Sequence, residues 1–147
     1  MNLSARTSQI LMQAAVAAGT TTVTPAHGVY VPPGSAVLFV AIFGTVSATS
    51  VSGLQLQASN DDGVADSYSA IGGSNTAAPV GAGGLVVIDC PRPCKPWVLP
   101  VVTRTVANAV LSGILAIVYE QTQNPPAADA SVIGAKLLAA GAPLGSA

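Results

Sequence analysis

Two thiols lie close together in the sequence, at Cys90 and Cys94 of a Cys-Pro-Arg-Pro-Cys segment. Thiolates and imidazoles bind zinc, but a zinc site usually needs a second pair of such ligands. The chain has no further cysteine and a single histidine, His27, in a predicted turn between Pro25 and Gly28. We therefore expect no metal at Cys90 and Cys94. The sequence leaves two possibilities for these residues: two unpaired thiols, or a local disulfide strained by the prolines.

Four oxygen-bearing side chains surround one predicted turn, and oxygen ligands of this kind bind calcium in other proteins. They are Asn60, Asp61, Asp62 and Asp66. The spacing and the terminal Glu of an EF-hand loop are missing, and tight turns by themselves favour Asn, Asp and Gly. No phosphate-binding loop, nucleotide fingerprint or Gly-x-Ser-x-Gly elbow occurs either. The sequence therefore predicts a non-enzymatic chain without a cofactor.

Charged residues are rare: they make up 7% of the 147 residues, against about 25% in ordinary soluble proteins. A monomer with so few charges tends to associate, so we expect partner proteins to cover much of its surface. The alternative is a soluble monomer whose surface consists of Ser, Thr, Gln and Asn. The net charge of −1 and the thin basic cluster of Arg92, Lys95 and Arg104 argue against binding to nucleic acid. The apolar runs at 37–43 and 114–119 are shorter than the roughly 20 residues of a membrane-spanning helix, so no membrane partner is expected.

The elements that must position these residues are β-strands. The run at 36–46 is continuously apolar, which predicts a strand that is buried on both faces or lies at an interface. The run at 54–58 alternates apolar and polar residues, which is typical of a strand with one solvated face. About eight such strands predict one all-β domain over 20–124, an antiparallel β-sandwich or jelly roll.

The two ends of the chain and two internal segments are less regular. Residues 1–19 fit an arm, a short helix or a first strand, and 125–147 form an Ala-, Gly- and Pro-rich tail that cannot build a core of its own. The β-branched residues at 20–24 predict a strand. The segment at 72–84 is uncharged and rich in Gly, Ala, Ser and Pro, which predicts a flexible loop.

Two stretches resemble structural proteins of tailed phages. The segment Leu-Gln-Leu-Gln-Ala-Ser-Asn-Asp-Asp-Gly at 54–63 is similar to a hairpin of many β-sandwich virion proteins. The segment at 85–119 looks like small phage capsid decoration, or cement, proteins; it contains Val-Val-Ile-Asp, the Pro-Arg-Pro segment and a closing apolar strand. The resemblance implies a jelly-roll-like homotrimer on the outer capsid surface that contacts the major capsid protein. It implies no catalytic residues.

The function predicted from these observations is the decoration and stabilisation of a phage capsid by bridging its subunits. The alternatives are another virion component (a head fibre, a tail protein or a capsid subunit) or a carbohydrate-binding module that stacks sugars on aromatic rings. We expect the contacts to come from the N-terminal segment, the loop between the prolines and the tail. The candidate interface residues are Ile10, Leu11, Met12, Arg92, Lys95, Val132, Ile133, Leu137 and Leu138.

The low charge and the apolar run at 36–43 predict that the isolated protein is a homo-oligomer, and the resemblance to decoration proteins implies three chains. Light scattering at micromolar concentration should give three chain masses, because each copy covers apolar surface of another. A stable species of one chain mass would contradict this prediction.

Overall fold

The computed structural model describes residues 6–78 and 80–120, which form ten β-strands and no helix. The strands are β1 (Ser8–Gln13), β2 (Val16–Gly19), β3 (Val29–Tyr30), β4 (Ala36–Val46), β5 (Val51–Ser59), β6 (Ser69–Ala70), β7 (Thr76–Ala77), β8 (Gly81–Pro91), β9 (Trp97–Thr105) and β10 (Ala109–Tyr119). They form two antiparallel sheets in a sandwich, which confirms the predicted fold class. No helix able to cross a membrane is found in those two ranges.

The first sheet is organised around β10. Its strand order is β1-β10-β4-β8, and β2 also pairs with β10. On one side of β10, Ser8 of β1 lies opposite Val118; on the other side, Ala36 of β4 lies opposite Tyr119. The second sheet has the order β3-β9-β5-β6, with β7 also paired to β5. The longest pairings in both sheets therefore join strands that are distant in the sequence.

The hydrophobic core lies between the two sheets. Phe39 and Phe43 of β4 reach it from the first sheet, and Leu54 and Leu56 of β5 reach it from the second; each is at most 2% exposed. Because side chains alternate along a strand, every second residue of these strands is buried. Each such side chain contributes about 1.5–3 kcal/mol on full burial.

Residues 8–19 form β1 and β2 on one edge of the first sheet. The sequence had left an arm, a short helix or a first strand open for this segment. The sequence did not identify these strands because their alternation of buried and exposed side chains covers only a few residues. Ile10 and Met12 pack against the core, whereas Leu11 between them is 51% exposed.

Two local predictions differ from the structure. The β-branched segment at 20–24 contributes a single bridge, Val23 to Val102, because its other residues are exposed and Pro25 follows. The segment at 72–84 contains β7 and the start of β8. A glycine of the partner strand permits the pairing of β7 with β5: a Cβ on Gly53 of β5 would meet the backbone oxygen of Thr76 at 2.7 Å.

Arg104 of β9 is 2% exposed and connects the two sheets. Its Nε–H donates a hydrogen bond to the carbonyl oxygen of Thr21 at 2.9 Å. Its Nη1 donates to the carbonyl oxygens of Ala17 in β2, at 2.8 Å, and Ala109 in β10, at 2.9 Å. Arg104 is therefore a structural residue and does not belong to an exposed basic cluster, as the sequence suggested.

Replacing Arg104 by Met should lower the free energy of unfolding by about 3 kcal/mol, because one buried and two partly buried carbonyl groups lose a charged hydrogen-bond donor. The measurement is urea unfolding followed by circular dichroism. Arg92→Met is the matched control, since Arg92 is exposed and surface substitutions usually change stability by less than about 0.5 kcal/mol. Equal unfolding midpoints for the two variants would contradict this role of Arg104.

Candidate interaction surface

The outer side of the first sheet carries apolar side chains in register. Leu11, Leu115, Val40 and Val87 lie opposite one another in a single row across β1, β10, β4 and β8. Two neighbouring rows add four more residues. We call this set of eight residues the apolar face; its other members are Leu38, Ile42, Leu85 and Ile117.

Several side chains of the apolar face are open to solvent. Leu85 is 62% exposed, Val87 50% and Ile42 40%. Leu38 and Val40 on the neighbouring strand are half-buried. Soluble monomers rarely expose a large contiguous apolar patch, and such patches mark interaction sites. The outer side of the first sheet is therefore the strongest candidate for contact with another polypeptide.

One end of the apolar face is polar. Asp89 of β8 lies opposite Leu38, and its carboxylate accepts a hydrogen bond of 2.6 Å from the hydroxyl of Tyr119. This hydrogen bond is the main reason that the pKa of Tyr119 is raised to about 12. A carboxylate therefore lies at the border of the apolar face, where a basic group of a partner would find an acceptor.

The predicted N-terminal contact residues divide between two sides of β1. Ile10 and Met12 are half-buried against the core, and Leu11 belongs to the apolar face. Ile10 and Met12 therefore stabilise the fold. Leu11 is the most exposed of the three side chains and the one most accessible to a partner. Their role in an interface stays a prediction.

The predicted basic loop contains two side chains in different environments. Lys95 is half-buried and its Nζ lies 2.7 Å from Oδ2 of Asp66, so its charge is used within the protein. Arg92 is exposed and has a positive φ of 51°. Both line an open groove of about 350 Å³ beside the Pro32–Pro33 turn. Arg92 is thus the basic group of this loop that can reach a partner.

The remaining candidate interface residues lie outside the described part of the chain. They are Val132, Ile133, Leu137 and Leu138.

The carboxylates that could have bound calcium serve the loop between β5 and β6. Asp61 accepts hydrogen bonds from the backbone N–H groups of Ala65, at 2.7 Å, and Asp66, at 3.1 Å, which hold its pKa below the usual value. Lys95 and the backbone N–H of Asn60 lower the pKa of Asp66. No group of three or more His, Cys, Asp or Glu residues in 6–78 and 80–120 is arranged to hold a metal.

Asp62 connects this loop to the turn before β3. Its carboxylate accepts hydrogen bonds from the hydroxyl of Tyr68 at 2.5 Å and from the backbone N–H of Gly28 at 2.8 Å, and it lies 2.9 Å from Nδ1 of His27. Partial burial opposes ionisation of Asp62, but these hydrogen bonds outweigh it and its pKa is lowered. Burial and the bond to Asp62 raise the pKa of Tyr68. These contacts of Asp62 hold the loop between β5 and β6 against the turn before β3.

The two thiols are free cysteines in the structure. Cys90 is half-buried and packs against the core, and this burial raises its pKa. Cys94 is exposed on the loop before β9. Cys90 therefore behaves as a small apolar residue of β8.

The comparisons with known proteins give a fold and no family. No family model and no curated protein match the sequence. A chain of the T13 IBDV viral particle has a TM-score of 0.51 and 13% identity, over 78% of this chain and 31% of that one. A chain of infectious bursal disease virus Gx strain has a TM-score of 0.51 and 18% identity, over 82% of this chain and 34% of that one. This chain shares their sandwich fold and spans about a third of their length.

The carboxylates of the loop between β5 and β6 predict a loss of stability in acid. Because the pKa values of Asp61, Asp62 and Asp66 are lowered on folding, their contribution is present above the unfolded value of 3.8 and is lost as the pH falls through the folded values. The urea concentration at the midpoint of unfolding should therefore decrease as the pH is lowered from about 5 to about 2.5.

Asp61→Asn should make this acid-induced fall smaller, because one of the carboxylates that titrate in this range is removed. Glu120→Gln is the control, since Glu120 follows β10 and lies outside this loop. Unfolding curves of both variants at the two pH values are the measurement. An unchanged pH dependence in Asp61→Asn would show that this loop does not govern acid stability.

Proposed function

We propose that this chain is a structural protein of a virus particle, which decorates and stabilises a phage capsid by bridging its subunits. The observation that carries the proposal is a sandwich fold, similar to that of chains in a virus particle, with an open apolar face on its first sheet. The sequence resemblance to phage decoration proteins supports the same function. The proposed location is the outer capsid surface.

The proposed mechanism is mechanical. A protein that binds the assembled shell and not its free subunits stabilises the shell by mass action. Leu85 and Val87 are exposed in the described structure, and covering each would contribute about 1 kcal/mol per copy. Since a capsid has many equivalent positions, small contributions add up over the particle.

The proposed partners are two other copies of the chain and the major capsid protein. The 7% content of charged residues supports an assembly in which much of the surface is covered. Of the candidate interface residues that the structure describes, Leu11 and Arg92 are exposed. We propose no nucleic acid or membrane partner and no catalytic activity.

Another virion component is the second candidate. The matched chains of infectious bursal disease virus favour a capsid subunit over a head fibre or a tail protein among these alternatives. A carbohydrate-binding module has less support, because the aromatic rings do not form a flat platform. Trp97 is half-buried, and its ring meets that of Tyr30 edge-on, with centroids 5.5 Å apart and an interplanar angle of 61°.

The test begins with virions whose genome encodes this chain. Mass spectrometry of purified virions should detect the protein, and cryo-electron microscopy should show sandwich-shaped density on the outside of the shell. Density within the continuous shell would identify a capsid subunit instead. Absence of the protein from virions would refute the proposed function.

The apolar face can be tested by adding variants to particles that lack the protein. Val87→Asp should weaken binding by at least about tenfold, because it places a charge in an apolar contact. Val64→Asp is the matched control, since Val64 is 87% exposed in the loop between β5 and β6. Equal binding by both variants would show that the shell does not contact the apolar face.

A further inference from the structure

Of the eight members of the apolar face, four are half-buried and four are exposed: Leu11, Ile42, Leu85 and Val87. Ile42, Leu85 and Val87 retain 40–62% of their surface. The face is the outer side of a regular four-strand arrangement, so its shape is fixed by register and not by mobile loops. A free protein with so few charges needs something to shield this side from water.

The chain itself continues beside this surface. β10 contributes Leu115 and Ile117 to the apolar face and ends two residues later, at Tyr119. Pro125 and Pro126, further along the sequence, lack the N–H groups that would extend the pairing of a strand. The hydroxyl of Tyr119 bonds Asp89, so the end of the described chain lies next to the polar end of the apolar face.

The length of the following chain is sufficient to cover the face. About a dozen residues separate Glu120 from Val132, and they span up to roughly 40 Å when extended. Along β4, the distance from Leu38 to Ile42 is about 13 Å. The apolar residues of the tail can therefore reach every row of the face of their own subunit.

The composition of the tail complements the face in two ways. Val132, Ile133, Leu137 and Leu138 are apolar and occur in two pairs. The one basic residue after Arg104 is Lys136, which lies directly before the second pair. The border of the face carries the carboxylate of Asp89, so an apolar segment with one positive charge matches an apolar surface with one negative charge.

We propose that residues 131–138 cover the apolar face of their own subunit in the free protein, with Lys136 beside Asp89. A tethered segment has an advantage over a separate molecule, because attachment to the same chain gives it a high effective concentration. This proposal concerns the free protein and does not depend on binding to a capsid.

Disulfide trapping in the full-length chain tests the proposal. The background is Cys90→Ser with Cys94→Ser, to which Val87→Cys and Leu137→Cys are added. Under mild oxidation at low micromolar concentration, this pair should form an intramolecular bond, seen as a monomer of faster mobility on a non-reducing gel. The matched control combines Val64→Cys with Leu137→Cys, and it should form this bond at least about tenfold more slowly.

Each other outcome contradicts the proposal. Disulfide-linked dimers formed by the Val87 pair would assign the cover to a neighbouring copy. Equal rates in the Val87 and Val64 pairs would show that the tail has no preferred site. In the protein with Val87→Cys and Leu137→Cys, Lys136→Glu should slow disulfide formation several-fold, whereas Lys136→Arg should preserve its rate. Equal rates for these two variants would contradict a contact between Lys136 and Asp89.

A second measurement avoids the cysteine substitutions. In the otherwise unchanged chain, hydrogen exchange of backbone amides in 131–138 should be slowed relative to the same segment in Val87→Asp, and Val64→Asp should behave like the unchanged chain. Identical fast exchange in all three proteins would overturn the proposal. Particle binding does not enter either readout, so failure here is distinct from failure of the capsid function.

Discussion

The hydrogen bonds of the Arg104 guanidinium fix how the two sheets are held together. This side chain starts on β9 and donates to main-chain oxygens of β2, of β10 and of Thr21. No carboxylate forms an ion pair with it within 6–78 and 80–120. A buried charge is costly unless its donors are satisfied, so the chain must place these oxygens correctly to bury the residue at all. Arg104 thereby links β9 to β2 and to β10, the strand that contributes Leu115 and Ile117 to the apolar face.

A second constraint acts at the loops, where Gly28 permits the contact between Asp62 and Tyr68. A Cβ at Gly28 would occupy the position of the Tyr68 hydroxyl, and the backbone N–H of Gly28 is itself a donor to Asp62. Asp62 itself has a positive φ of 59°, a conformation that Asp adopts more readily than most residues. The loop between β5 and β6 and the turn before β3 are therefore coupled, which leaves the sheet face as the less constrained surface for binding.

The sequence predicted those features that depend on neighbouring residues. The apolar run of β4 and the alternation of β5 were sufficient to predict strands and the sandwich class. Features that depend on pairing between distant strands were not predictable. The apolar face combines residues from four strands, β1, β4, β8 and β10. Arg104 resembled an ordinary surface cation until its distant carbonyl partners were known. The glycine-rich start of β8 was likewise hidden, because its pairing to β4 comes from register and not from propensity.

The central position of β10 has a consequence for how the chain is made. The first sheet cannot be completed until β10 has been synthesised, because β1 and β2 pair with this strand and it separates them from β4. At about 5–20 residues per second, β4 waits several seconds for this neighbour during translation. Pairings between such distant strands also fold slowly, since the intervening chain must first be closed into a loop. The nascent chain therefore leaves one edge of β4, its most apolar strand, unpaired until β10 has been made.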